Sequence, residues 1–75
     1  MNWNEVSLEE VLTTAIADEL AACDYYRHAA ALTGNSHTRA LLVRLSDMEQ
    51  GHADSLRVEL DNVIVQREME SGMVD

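Results

Sequence analysis

Proline and phenylalanine are absent from this 75-residue chain. Without proline, nothing in it forces a helix to break. Lysine is absent too: the five basic residues are all arginine, set against 14 Asp and Glu, for a net charge of −9. Such a chain has no basic patch to neutralise phosphates, which argues against nucleic acid as a partner. The same acidic field draws cations toward the surface. The only cysteine, Cys23, excludes an internal disulfide framework and fits a reducing compartment. No run of 18 apolar residues occurs, so no membrane span is expected. Asn2 to Glu5 lacks the basic start and apolar core of a secretory leader, and a cytoplasmic protein is expected. Repeats and low-complexity segments are missing as well. Seventy-five residues allow one small domain, residues 1–75, and a chain of that size buries only about 60% of its unfolded surface.

What is present is a helical composition, rich in Ala and Leu. Ser7-Leu8-Glu9-Glu10 reads as a capping box, with Val6 and Val11 placed for a hydrophobic staple. Leu12, Ala15, Ile16, Leu20, Cys23, Tyr26 and Ala30 then follow at helical spacing. Gly34 is the expected stop, in a left-handed conformation. Asn35 and Ser36 are both N-cap types, so a second helix starts there. Its stripe runs through Leu41/Leu42, Leu45, Met48/Glu49, His52, Leu56, Leu60, Val63/Ile64 and Arg67. Ser71-Gly72 ends it, and the tail to Asp75 is expected to fray. Gly51 weakens this helix by about 1 kcal/mol relative to Ala, and is expected to admit a neighbouring backbone. The fold class is therefore all-α. A helix over about 8–33, a turn at 34–36 and a helix over about 37–70 make an antiparallel hairpin. A lone hairpin leaves one face of each helix bare, and dimerisation into a four-helix bundle is the simplest remedy.

Three polar residues interrupt these stripes. Glu19 lies seven after Leu12 and seven before Tyr26; Glu49 lies four after Leu45, and His52 four before Leu56. Glu19 precedes Gly34 by 15 residues and Glu49 follows it by 15. In an antiparallel hairpin both then sit roughly 22 Å from the turn, with His52 less than a turn beyond. Burying carboxylates without a partner is costly. Arg27 and Arg44 are more than a turn away. A metal cation is the compensation that accounts for a Glu, a Glu and a His together. One hairpin offers three ligands. Two hairpins offer four Glu and two His, the ligand set of di-iron carboxylate bundles.

On these residues the chain resembles the ferritin-like superfamily, and most closely its half-length members, the encapsulated ferritins. The similar stretches are Asp18-Glu19-Leu20-Ala21-Ala22-Cys23-Asp24-Tyr25-Tyr26 and Asp47-Met48-Glu49-Gln50-Gly51-His52-Ala53. The resemblance implies iron ligation by Glu19, Glu49 and His52 across a dimer interface, with two iron ions per dimer. It implies that Tyr26 hydrogen-bonds a ligand carboxylate, while Tyr25 packs at an interface. It implies a ferroxidase, oxidising Fe(II) with dioxygen or peroxide for storage or detoxification. It further implies a ring or cage of dimers, inside an encapsulin-type shell or another storage compartment. The stretch Met69 to Asp75 carries nothing like the segment that addresses encapsulated ferritins to such a shell, so action outside a shell is an open alternative. Room for the family's short third helix is small, and Trp3 with the residues before Ser7 is an alternative contact. Similarity extends to bacterioferritin and rubrerythrin halves. Gln50 stands where bacterioferritins carry a haem-ligating Met, so haem is not expected, and the paired Cys-x-x-Cys module of rubrerythrins is missing.

Other residues have plainer readings. Cys23 reads as a small buried hydrophobe. His28 and His37 read as surface residues near the turn. Asp18, Asp24, Asp47 and Asp54 read as solvated helix faces, with an iron approach path as the sharper alternative. Two competing functions stand beside the ferroxidase: a rubrerythrin-like peroxide-reducing enzyme at the same di-iron site, and a non-catalytic helical interaction module.

Overall fold

The computed structural model describes residues 7–72, and within them the chain is two α-helices packed against each other. Helix α1 is Leu8–Leu32 and helix α2 is Ser36–Gly72. Val6, Trp3 and the residues after Gly72, for which a staple, a contact and a frayed tail were expected, lie outside the described residues.

Local chemistry fixes the helix ends. Ser7 is extended at φ −78°, ψ 157°, and its hydroxyl accepts from the Glu10 amide at 3.1 Å. That satisfies one of the orphan amides of the first turn. Glu9 and Glu10 also favour the positive end of the helix dipole. Of the two cap candidates for α2, Asn35 is the one used: its side-chain oxygen accepts from the Thr38 amide at 2.9 Å.

The turn departs from expectation. Among the described residues no glycine has a positive φ, so Gly34 is not a left-handed cap. Helix α1 ends instead on Thr33, in an extended conformation, whose amide still bonds to the Ala29 carbonyl. Arg39 explains the difference. Its guanidinium reaches back from the first turn of α2 and donates to the Ala30 and Thr33 carbonyls at 3.3 and 2.8 Å. Those bonds occupy terminal acceptors that a left-handed cap would have filled from the backbone. At the other end of the hairpin, Arg67 pairs with Glu9.

The seam between the helices is narrow. Ile16, Cys23 and Ala30 are buried on α1, each seven residues from the next; Ser46 and Ala53 are buried on α2, again seven apart. A seven-residue repeat keeps one stripe facing its partner along the whole contact. Four of these five side chains are small, which lets the backbones approach. The sequence stripe missed both Ser46 and Ala53, and the burial of Ser46 has a specific cause. Ser46 Oγ lies 3.2 Å from the Cys23 carbonyl and 3.1 Å from Cys23 Sγ. The carbonyl can only accept, so it takes the single hydroxyl proton. The thiol then donates to the Ser46 oxygen, with Gln50 Oε1 a longer acceptor at 3.8 Å. Cys23 is thus a hydrogen-bonded seam residue rather than a plain hydrophobe.

Beyond the seam, little is covered. Tyr25, Leu32, Leu41 and Met48 are exposed, and Leu12, Leu20, Leu42, Leu45, Leu56 and Leu60 are only half-buried. A hairpin of two helices cannot enclose the stripes that both of them carry.

Candidate metal centre

Helix periodicity places each polar residue on the edge of the seam. Glu19 repeats the register of Leu12 and Tyr26, one turn from buried Cys23. Glu49 repeats that of Leu42 and Leu56, between buried Ser46 and Ala53. His52 lies one turn after Glu49, turned further out. The side-chain exposures follow that order: Glu49 23%, Glu19 29% and His52 57%.

The matched heights expected from the sequence hold. Glu19, Glu49 and His52 each present a donor atom, and the three atoms lie within 4.8 Å of one another. His52 Nδ1 is 3.5 Å from Glu19 Oε2 and 3.9 Å from Glu49 Oε2. Ligands about 2.1 Å from a small divalent ion stand up to about 4.2 Å apart. The cluster therefore needs only a small side-chain rotation to close on one cation.

The electrostatics of the cluster are unresolved by the protein's own groups. Glu19 Oε2 is a buried oxygen that accepts no hydrogen bond. Among the described residues, His52 is the only basic side chain paired with either carboxylate. The Glu49 carboxyl is raised above its ordinary 4.5. The first cause is its hydrogen bond with the Glu19 carboxyl; burial and the Glu19 charge add to it, and His52 opposes them. Two carboxyl groups can share a hydrogen bond only when one holds a proton. A divalent cation would do the proton's work there and also satisfy the orphaned oxygen. Two carboxylates and an imidazole make a donor set suited to first-row metals such as iron. The residues present fit such an ion.

Tyr26 is half-buried one heptad from Glu19, on the same face. Its ring meets Tyr25 edge-on, centroids 5.7 Å apart and planes at 70°. Within the hairpin its hydroxyl makes no hydrogen bond to Glu19 or Glu49. Tyr25 is 70% exposed. His28, His37, Asp18, Asp24, Asp47 and Asp54 are all exposed and outside the cluster. Gln50 points to the seam side, where its amide donates to Asp54 at 3.1 Å and its oxygen faces Cys23. Gly51 has no close neighbour: a Cβ placed on it would meet nothing within 4 Å, so the expected backbone approach does not occur inside the hairpin.

Compared with family models, curated proteins and solved structures, the chain finds no match in any of the three.

Proposed function

We propose that the protein is a ferroxidase of the ferritin-like kind, with Glu19, Glu49 and His52 as its iron ligands. The observation that carries this reading is the convergence of those three donors around an orphaned carboxylate oxygen. Nothing in a structural role calls for that arrangement: a fold can bury leucine at these heptad positions at no electrostatic cost. Fe(II) is the substrate. Two ferrous ions supply the two electrons that reduce dioxygen to hydrogen peroxide, with two protons drawn from water, or that reduce peroxide to water. Hard, anionic carboxylates favour the ferric product.

One hairpin supplies three ligands to one ion, and a second hairpin related by a two-fold axis completes a pair of sites. The open face around the cluster is where that second copy belongs. A chain of this size encloses no mineral, so storage would fall to a ring or cage of dimers, or to a shell around them. Tyr26 then serves the site from that shared interface.

The test is aerobic Fe(II) oxidation by the wild type, Glu19→Ala and Glu49→Ala, read at the ferric absorbance. Both variants should lose oxidation above the protein-free rate. Retained oxidation in both would refute the enzyme. Loss of assembly alone, with oxidation intact, would favour the helical interaction module. Running the wild type with peroxide in place of dioxygen separates the ferroxidase from the peroxide-reducing enzyme.

A further inference from the structure

The deepest burial in the seam lies beside the cluster. Cys23 and Ser46 are each 1% exposed, less than any other described side chain. Cys23 follows Glu19 by four residues and Ser46 precedes Glu49 by three, so the pair lies one turn from the carboxylates. Ile16 and Ala53 are buried one turn to the other side. We propose that Cys23 and Ser46 are positioning residues for the cluster. Together they hold the helices at the separation that lets Glu19 and Glu49 close on a small divalent ion, and so set which metal the site prefers. The inference rests on the metal reading above and adds the selectivity of that site.

The bonds between the pair are of a kind that fixes distance. Ser46 Oγ donates to the Cys23 carbonyl at 3.2 Å, which ties a side chain of α2 to the backbone of α1. The Cys23 thiol returns a bond to Ser46 Oγ at 3.1 Å. Hydrogen bonds hold only over a narrow range of length. Packed helix axes, by contrast, stand anywhere from about 8 to 10 Å apart according to the side chains between them. Two small hydrogen-bonded residues therefore define the gap more closely than leucines in the same heptad register.

The cluster needs a defined gap. Two carboxylates at one level push the helices apart, and the tie one turn away resists them. The three donor atoms lie within 4.8 Å of one another. A small ion held at about 2.1 Å spans donors up to about 4.2 Å apart, so the present gap is already near the limit. A wider seam carries the carboxylates beyond that span and favours a larger ion. Ala30 provides the contrast. It is buried in the same register, one heptad further from the cluster, where the gap between the helices does not bear on the ligands.

The experiment measures metal preference in the full chain. Co(II) reports its binding by visible absorbance, and the larger Mn(II) displaces it without absorbing there. The ratio of the two affinities is compared in wild type, Cys23→Leu, Ser46→Ala, Cys23→Ser and Ala30→Leu, with helicity checked by circular dichroism. Cys23→Leu forces extra methylenes into the seam. It should lower the preference for Co(II) by at least about 10-fold, the low end of what losing an outer-shell partner costs. Ser46→Ala should shift the ratio in the same direction, and it carries the test alone if Cys23→Leu is not helical. Cys23→Ser keeps the carbonyl bond and a donor of similar size, so it should keep the wild-type ratio. Ala30→Leu should lower stability and leave the ratio unchanged. Co(II) uptake with one ratio in all helical variants overturns the inference and leaves the metal reading standing. An equal shift in Ala30→Leu overturns it as well, because general loosening would then be the cause. A thiolate-to-cobalt absorption band in the wild type, lost in Cys23→Ser, would make the thiol a ligand and overturn the positioning role. Failure of the wild type to take up Co(II) removes both readings.

Discussion

At Glu49 two carboxyl groups and an imidazole meet in one small space, and the metal-free protein answers with a raised carboxyl pKa. A group whose folded pKa lies above its unfolded one stabilises the fold below the unfolded value, and that contribution is lost as pH rises through the folded one. The metal-free chain should therefore gain stability, relative to Glu49→Gln, as pH falls from 7 toward about 4.5. Urea denaturation of both proteins at several pH values checks this, and parallel profiles would contradict it. Glu49→Gln should also leave metal-free thermal stability at pH 7 unchanged or higher, since a carboxamide hydrogen-bonds to Glu19 without a charge. Its metal affinity should drop by more than the about 10–100-fold lost when only an outer-shell partner is removed. Co(II) titration calorimetry beside thermal melts reads both effects. A variant that loses stability and keeps the metal would mark Glu49 as a structural residue.

Within each helix, the seven-residue seam holds the hairpin and aims the site. Ser46→Ala removes the hydroxyl that bonds the Cys23 carbonyl and thiol inside the seam, while the helix amide and Gln50 remain as their other partners. The loss of such a hydrogen bond costs about 0.5–1.5 kcal/mol, which urea unfolding would detect. Gly51→Ala should act the other way. The new methyl meets open space, so the helix gains the about 1 kcal/mol that Ala holds over Gly, visible as a raised melting temperature. Both helices, their antiparallel pairing and the level of Glu19, Glu49 and His52 were legible from spacing, because helical rise converts residue number into height. The seam was legible only in part. The α1 stripe already held Ile16, Cys23 and Ala30, but on α2 the leucines drew the stripe away from Ser46 and Ala53, through which the contact runs. The repeats 16–23–30 and 46–53 were the signal that locates it. The turn was misread for another reason. Arg39 caps α1 from the first turn of the next helix, and a side chain reaching back across the turn is not among the backbone cap patterns that glycine and N-cap residues signal.

Across the molecule, the hairpin buries five side chains among the described residues and carries its polar cluster on the edge of that seam. No helix among the described residues is long and apolar enough to cross a membrane. The acidic charge and the three converging donors motivate the proposal of a cation bound at the cluster. Anaerobic equilibrium dialysis against Fe(II), followed by metal analysis, tests that claim most directly. The account predicts about one iron per chain in the wild type, the count two hairpins need for a di-iron site, and little or none in Glu19→Ala. Equal iron in both proteins, or none in the wild type, would contradict it.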